Sequence, residues 1–129
     1  MLRGFSTVSY YAADLEAATA WYAEVLGVEP YFHRPGYVEF RVGDFQHELG
    51  IIDARYRPTS SEMPAGEIVY WAVDDVAAAF DRLLALGATS YQPLMERGPG
   101  FTTASVVDPF GNILGVMFNQ HYLDVLAGR

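Results

Sequence analysis

Apolar residues along this chain follow two periods, and the periods alternate in the same order twice. Residues 5–11 are mostly β-branched or aromatic, the composition of a strand. The spacing then changes: Ala17, Ala18, Trp21, Tyr22, Val25 and Leu26 recur at intervals of three and four, along one side of a helix. Asp14 is placed to cap that helix, and Gly27 to end it in a left-handed conformation. Short strands are predicted at residues 29–32, 37–42 and 47–53, the last two joined through Gly43-Asp44. The order is β-α-β-β-β.

The second copy begins after residues 54–66, where Pro58, Thr59, Ser60, Ser61, Pro64 and Gly66 suit a connection rather than a core element. Residues 67–73 restart a strand. Asp74 or Asp75 caps a helix that buries Val76, Phe80, Leu83, Leu84 and Leu86, and Gly87 ends it. Strands are expected at 89–93, 101–107 and 113–118, and Asp108-Pro109-Phe110-Gly111-Asn112 makes a strongly specified turn between the last two. The copies align residue by residue, because Asp14, Ala17, Ala18, Leu26 and Gly27 recur as Asp74, Ala77, Ala78, Leu86 and Gly87. A module of that length buries a core poorly alone, so two of them are expected to share one sheet and enclose a concavity. The division is a single domain, residues 1–129, with module one at about 1–53, a linker at 54–66, module two at about 67–118 and a tail at 119–129.

Strand alternation sorts side chains into two sets. One set holds Val8, Tyr10, Val69, Trp71, Val73, Leu114, Val116 and Phe118, bulky and apolar enough to meet the helices. The other holds Thr7, Ser9 and Tyr11, Ile68, Tyr70 and Ala72, and Ile113, Gly115 and Met117. Rings, a thioether and a few hydroxyls on one face suit an apolar or aromatic ligand fixed by a small number of hydrogen bonds, with Gly115 and Ala72 leaving it room.

Composition narrows the classes. About half of the 129 residues are hydrophobic, enough for a substantial core. The net charge of −8 is spread along the chain with no basic patch, which argues against nucleic acid or an anionic membrane as partner. With no cysteine, thiolate chemistry is excluded and a reducing cytoplasm is the expected setting for a soluble protein. Arg97-Gly98-Pro99-Gly100 lacks the spacing of a phosphate-binding loop and reads as a mouth loop, and no nucleophile sits beside a base.

The element order, the helix pattern from Asp14-Leu15 through Trp21-Tyr22 to Leu26-Gly27, the Val73-Asp74 start and Gly87 end of the second helix, and Asp108-Pro109-Phe110-Gly111-Asn112 before an apolar last strand together resemble the vicinal oxygen chelate superfamily. That superfamily includes glyoxalase I, extradiol dioxygenases and bleomycin-resistance proteins. The resemblance implies an α+β fold: two βαβββ modules forming a curved, mixed eight-stranded sheet, a funnel with helices outside. It also implies a divalent metal held by one His, Gln or Glu from the first and last strand of each module. Those positions fall at Thr7, Glu48, Ile68 and Gly115, of which only Glu48 is a ligand type, so no metal site and no cofactor are expected. A bulge bringing in Glu67 or His47 would restore two donors but none beside Gly115.

Two functions remain. The first is a binding protein of the bleomycin-resistance kind, holding a small apolar or aromatic molecule in a metal-free funnel, with Glu48 as its leading polar contact. The alternative is a lyase, isomerase or ring-cleaving dioxygenase that uses a divalent metal or acid–base chemistry by Glu48 and His47. Tyr37, Glu39 and Arg41 alternate with Val38, Phe40 and Val42 and face either the ligand or solvent. His33 is expected in a surface turn. The tail with His121 is expected to be a short helix covering a sheet edge or joining a homodimer interface, since members of the family often pair modules between chains.

Overall fold

The computed structural model describes residues 1, 3, 5–57 and 68–128. The chain divides into two compact units, residues 1–60 and 61–129. In the first, β1 (Thr7–Ala12) leads into helix α1 (Leu15–Leu26), then β2 (Phe32–Arg34), β3 (Tyr37–Val42), β4 (His47–Asp53) and a single 3-10 turn, Ala54–Tyr56. In the second, β5 (Val69–Ala72) leads into α2 (Val76–Ala85), β6 (Thr89–Gly98), β7 (Phe101–Val107), β8 (Ile113–Asn119) and α3 (Gln120–Ala127). Both units are βαβββ modules.

The eight strands are hydrogen-bonded as two four-stranded sheets, β1-β4-β3-β2 and β5-β8-β7-β6, and not as the one eight-stranded sheet expected. Each sheet is mixed, because its first strand runs parallel to its last and the others are antiparallel. The parallel crossover is the helix, which is why each module needs one.

Local signals place the helices. Asp14 Oδ1 accepts from the Ala17 amide at 3.0 Å and Asp75 Oδ1 from the Ala78 amide at 3.0 Å, so the second cap is Asp75, not Asp74. Gly27 ends α1 at φ 71°, a conformation that a β-carbon would penalise. Helix α1 packs on β3 and β4, with Tyr22 fully buried and its ring 5.8 Å from that of Tyr10. Val38, Phe40, Val42, Leu49 and Ile51 complete that core. In the second unit α2 packs on β6, β7 and β8 over Val76, Leu83, Ala104, Val106, Leu114 and Val116.

The turn at residues 108–112 is held by a buried carboxylate. Asp108 Oδ1 accepts from the Phe110 and Asn112 amides and Oδ2 from Asn112 Nδ2, each at 2.8 Å. Strand positions depart from expectation in two places. β2 lies at Phe32–Arg34 rather than 29–32, because Pro30 lacks an amide proton and the hairpin turns at Pro35-Gly36. His33 and Arg34 are therefore strand residues. β6 runs through Pro93 to Gly98, which an edge strand with register shifts tolerates, so Arg97 and Gly98 belong to it and the turn is Pro99-Gly100. The tail is the short helix expected: Asn119 caps it and the Gln120 amide donates to Gly100 O at 3.0 Å. Most of the connecting segment, residues 58–66, and Glu67 lie outside the described residues. Among the described residues no helix is long and apolar enough to cross a membrane.

Candidate functional site

Register decides which side chains meet on the face of the first sheet turned away from α1. Thr7 pairs with Glu48 and Glu48 with Arg41; Ser9 pairs with Gly50, Gly50 with Glu39 and Glu39 with Phe32; Tyr11 pairs with Ile52, Ile52 with Tyr37 and Tyr37 with Arg34. Cross-strand partners share a face, so these residues form three rows opposite Tyr10, Phe40, Leu49 and Ile51. Tyr37, Glu39 and Arg41 are thereby aligned with Glu48 and Thr7, with Tyr37 and Glu39 half-buried and Arg41 exposed.

Two carboxylates and two phenols are the centre of this face. Tyr37 donates to Glu39 Oε1 at 2.5 Å, and Tyr31 donates to the other oxygen, Glu39 Oε2. The Tyr31 hydroxyl also lies 3.3 Å from Glu48 Oε1, while Thr7 Oγ1 donates to Glu48 Oε2 at 3.2 Å. Arg41 comes to 4.0 Å from Glu48 and stacks over the Tyr31 ring at 4.3 Å. Arg34 lies over Phe32 and Arg57 over Tyr11. Partial burial, then the Glu39 carboxylate, pushes the Tyr37 phenol well above its ordinary value; for Tyr31 the bond to Glu39 is the main cause of a rise, with burial second. Both phenols stay protonated donors at neutral pH. The result is a carboxylate pair with fixed donors, ringed by aromatic surface, able to hold a ligand's hydrogen-bonding group.

The second sheet presents a less charged face. Tyr70 pairs with Gly115, Gly115 with Ser105 and Ser105 with Gln92, while Ala72 pairs with Met117 and Met117 with Thr103. Ser105 Oγ donates to Gln92 Oε1 at 3.4 Å, and Arg97 Nε donates to Thr103 Oγ1 at 3.1 Å. Ile113 is buried on the same face. The room assigned to Gly115 is taken: a β-carbon there would stand 2.5 Å from the Tyr70 ring and 3.0 Å from Ile68 Cγ2.

Glu48 and His47 are not brought together. His47 points to the opposite face of β4, pairs with Val42 and stacks on Phe45 at 5.7 Å. His33 lines a groove of about 790 Å3 between α1 and β2, with Leu15, Thr19, Ala23, Glu29 and Val38. None of the candidate binding residues lines that groove. His121 is exposed on α3.

The four positions taken from the family pattern do not supply the donors that a divalent ion needs. Thr7 and Glu48 are direct partners, each unit's first strand being matched from its helix cap. By the same count the partner of Ile68 is Ile113, and the counterpart of Gly115 is Gly50. The four positions taken from the family pattern are thus not equivalent pairs, and neither choice of register adds a nitrogen or oxygen donor. Among the described residues no three His, Asp or Glu side chains converge to hold a metal.

Sequence reasoning named Glu48 and Thr7 but missed Tyr31 as a site residue. The available signal was Pro30: it ends the preceding segment and sets the next ring beside β3, where Glu39 is within reach.

A family model described as the Glyoxalase/Bleomycin resistance protein/Dioxygenase superfamily matches residues 4–116. Among solved structures, a glyoxalase-related enzyme from Fulvimarina pelagi is 23% identical with a TM-score of 0.74, covering 92% of this chain and 90% of that one. A lactoylglutathione lyase from Agrobacterium tumefaciens is 25% identical with a TM-score of 0.66, covering 88% and 92%. The fosfomycin resistance protein FosX from Listeria monocytogenes, solved with Mn(II) and a dihydroxypropylphosphonic acid, is 16% identical with a TM-score of 0.73, covering 92% of each chain. No curated protein sequence matches the chain.

Proposed function

This chain belongs to the glyoxalase/bleomycin resistance protein/dioxygenase superfamily, and from that premise we propose that it binds a small apolar or aromatic molecule without the help of a metal ion. The observation that carries the reading is the Glu39–Glu48 pair with its three hydroxyl donors, Tyr31, Tyr37 and Thr7. Rings of Tyr11, Tyr31, Phe32 and Tyr37 supply contact area at low entropic cost, and the carboxylates fix a donor group on the ligand. The family's own ligand positions lend chelation no comparable support, since one carboxylate among a hydroxyl, an isoleucine and a glycine does not satisfy a divalent cation.

Acid–base catalysis by a lyase or isomerase is the second reading. It is favoured by one feature, the Tyr31 hydroxyl standing between two carboxylates, which is a path for a proton. In this reading Glu48 acts with Glu39 and Tyr31 rather than with His47.

The test has two arms on the full-length protein. Metal analysis after purification without chelator is expected to find no stoichiometric iron, manganese, zinc or nickel; one equivalent of any of them reverses the ranking. Fluorescence titration with N-phenyl-1-naphthylamine, a neutral aromatic probe carrying one N–H donor, is expected to saturate. Glu48→Gln should weaken that binding more than His33→Ala, because Glu48 is in the hydrogen-bonded centre and His33 is on the other face. The reverse order removes the site from the first sheet.

A further inference from the structure

In both units a glycine in the middle of the last strand lies under a tyrosine ring, and in the first unit that ring belongs to the polar centre. Gly50 is buried in β4, between Ser9 on one side and Glu39 on the other. A β-carbon at position 50 would come within 2.5 Å of the Tyr37 hydroxyl and 2.8 Å of Cε1. The hydroxyl end of the ring therefore lies over the β4 backbone, a closeness that no other residue type at 50 permits. Gly115 is matched on β8 by the Tyr70 ring. The tyrosines come from different strands, β3 in one unit and β5 in the other, so the shared element is the glycine and not the ring donor.

We propose that Gly50 is a positioning residue: it seats the Tyr37 ring so that its hydroxyl is aimed at Glu39 Oε1, and thereby fixes the orientation in which that carboxylate meets a ligand's donor group. This rests on the binding reading above and deepens it by naming what sets the geometry. The physical reason is directional. Tyr37 and Glu39 are two residues apart on one strand and project from the same face, so a tyrosine standing upright there would hold its hydroxyl away from the carboxylate. With its tip over Gly50, the cross-strand partner of Glu39, the side chain instead leans toward its neighbour, and the bond forms at 2.5 Å. Only the far end of a rotatable side chain opposes a β-carbon at 50, so Gly50→Ala displaces the ring rather than the backbone.

The experiment is a 13C NMR titration of full-length protein labelled at tyrosine Cζ, with the Tyr37 signal assigned by its loss in Tyr37→Phe, alongside N-phenyl-1-naphthylamine binding. In the native chain Tyr37 is expected to remain protonated beyond the other tyrosines. In Gly50→Ala it is expected to ionise near the ordinary value of about 10, with probe affinity down tenfold or more. A Tyr37 titration that is unchanged in Gly50→Ala overturns the proposal. A shifted titration with unchanged probe affinity upholds the seating by Gly50 and discards the binding reading, so the two failures are distinct. Should Gly50→Ala not fold, Tyr37→Ala/Gly50→Ala is expected to restore a native circular dichroism spectrum because the opposing ring is gone. A double variant that is equally unfolded overturns the seating.

Discussion

Replacing Asp108 with alanine tests the joint that sets the register of β7 against β8. Asp108 is 3% exposed, and its carboxylate accepts three hydrogen bonds at 2.8 Å, two from backbone amides and one from Asn112 Nδ2. A hydrogen bond to a charged acceptor contributes about 1.5–3 kcal/mol, and buried donors left without a partner add their desolvation cost. The three share one side chain and do not sum, so Asp108→Ala is expected to cost about 3–5 kcal/mol. Against a typical domain stability of about 5–15 kcal/mol, that is a large fraction. Asp108→Asn keeps an oxygen for both amides and turns an NH2 toward Asn112, so it loses one bond and is expected to cost about 1–2 kcal/mol. Urea unfolding monitored by tryptophan fluorescence and circular dichroism measures both. With a slope of about 1–3 kcal/mol per molar, the alanine variant should shift the midpoint by a molar unit or more. An Asp108→Ala cost below about 1 kcal/mol, or an asparagine variant as damaged as the alanine one, would refute this account of the turn.

Alkaline stability follows from Tyr37 and Tyr31. Both phenols titrate higher folded than unfolded, so their contribution is fully present below the unfolded value near 10 and is lost as pH rises through the folded values. The native protein should lose stability above pH 10 more steeply than Tyr37→Phe does, as read by urea midpoints from pH 9 to 11.5; parallel curves would contradict it. At the second glycine, Gly115→Ala should cost about 1–3 kcal/mol by pushing on Tyr70 and Ile68. Removing the ring as well, in Tyr70→Ala/Gly115→Ala, should recover part of that relative to additivity. A thermally neutral Gly115→Ala would show that Tyr70 is not seated there.

The helices and the 108–112 turn were legible because each is specified by neighbours in sequence: the caps Asp14 and Asp75, the end at Gly27, and a carboxylate bonding its own turn. Edge strands were harder. β6 runs five residues past the 89–93 expected, because an edge strand with register shifts carries Pro93 and continues beyond it. β2 slid by three residues because the Pro35-Gly36 turn, not the aromatic run, fixes where pairing starts. On the site, alternation put Thr7, Ser9, Tyr11 and Glu48 on one face. Whether Glu39 and Arg41 joined them depended on the length of the turn between β3 and β4, which pairs Val42 with His47 and carries the register to Arg41–Glu48 and Glu39–Gly50. Close approach over a glycine left no trace in composition. Gly115 therefore read as space, when it is the floor under a ring.

The matched rows of the two modules hold unlike chemistry on one scaffold. Ser9, Gly50 and Glu39 stand where the other copy has Tyr70, Gly115 and Ser105. An ancestral duplication of this kind frees one copy to accumulate ionised groups while its twin drifts toward greasy and hydroxylic ones. Each can then mutate under its own selection, because sheet register, helix caps and the buried side are encoded separately in both. For protein engineering this means that the polar face of one half can be rewritten while the register and caps of the other are left as they are.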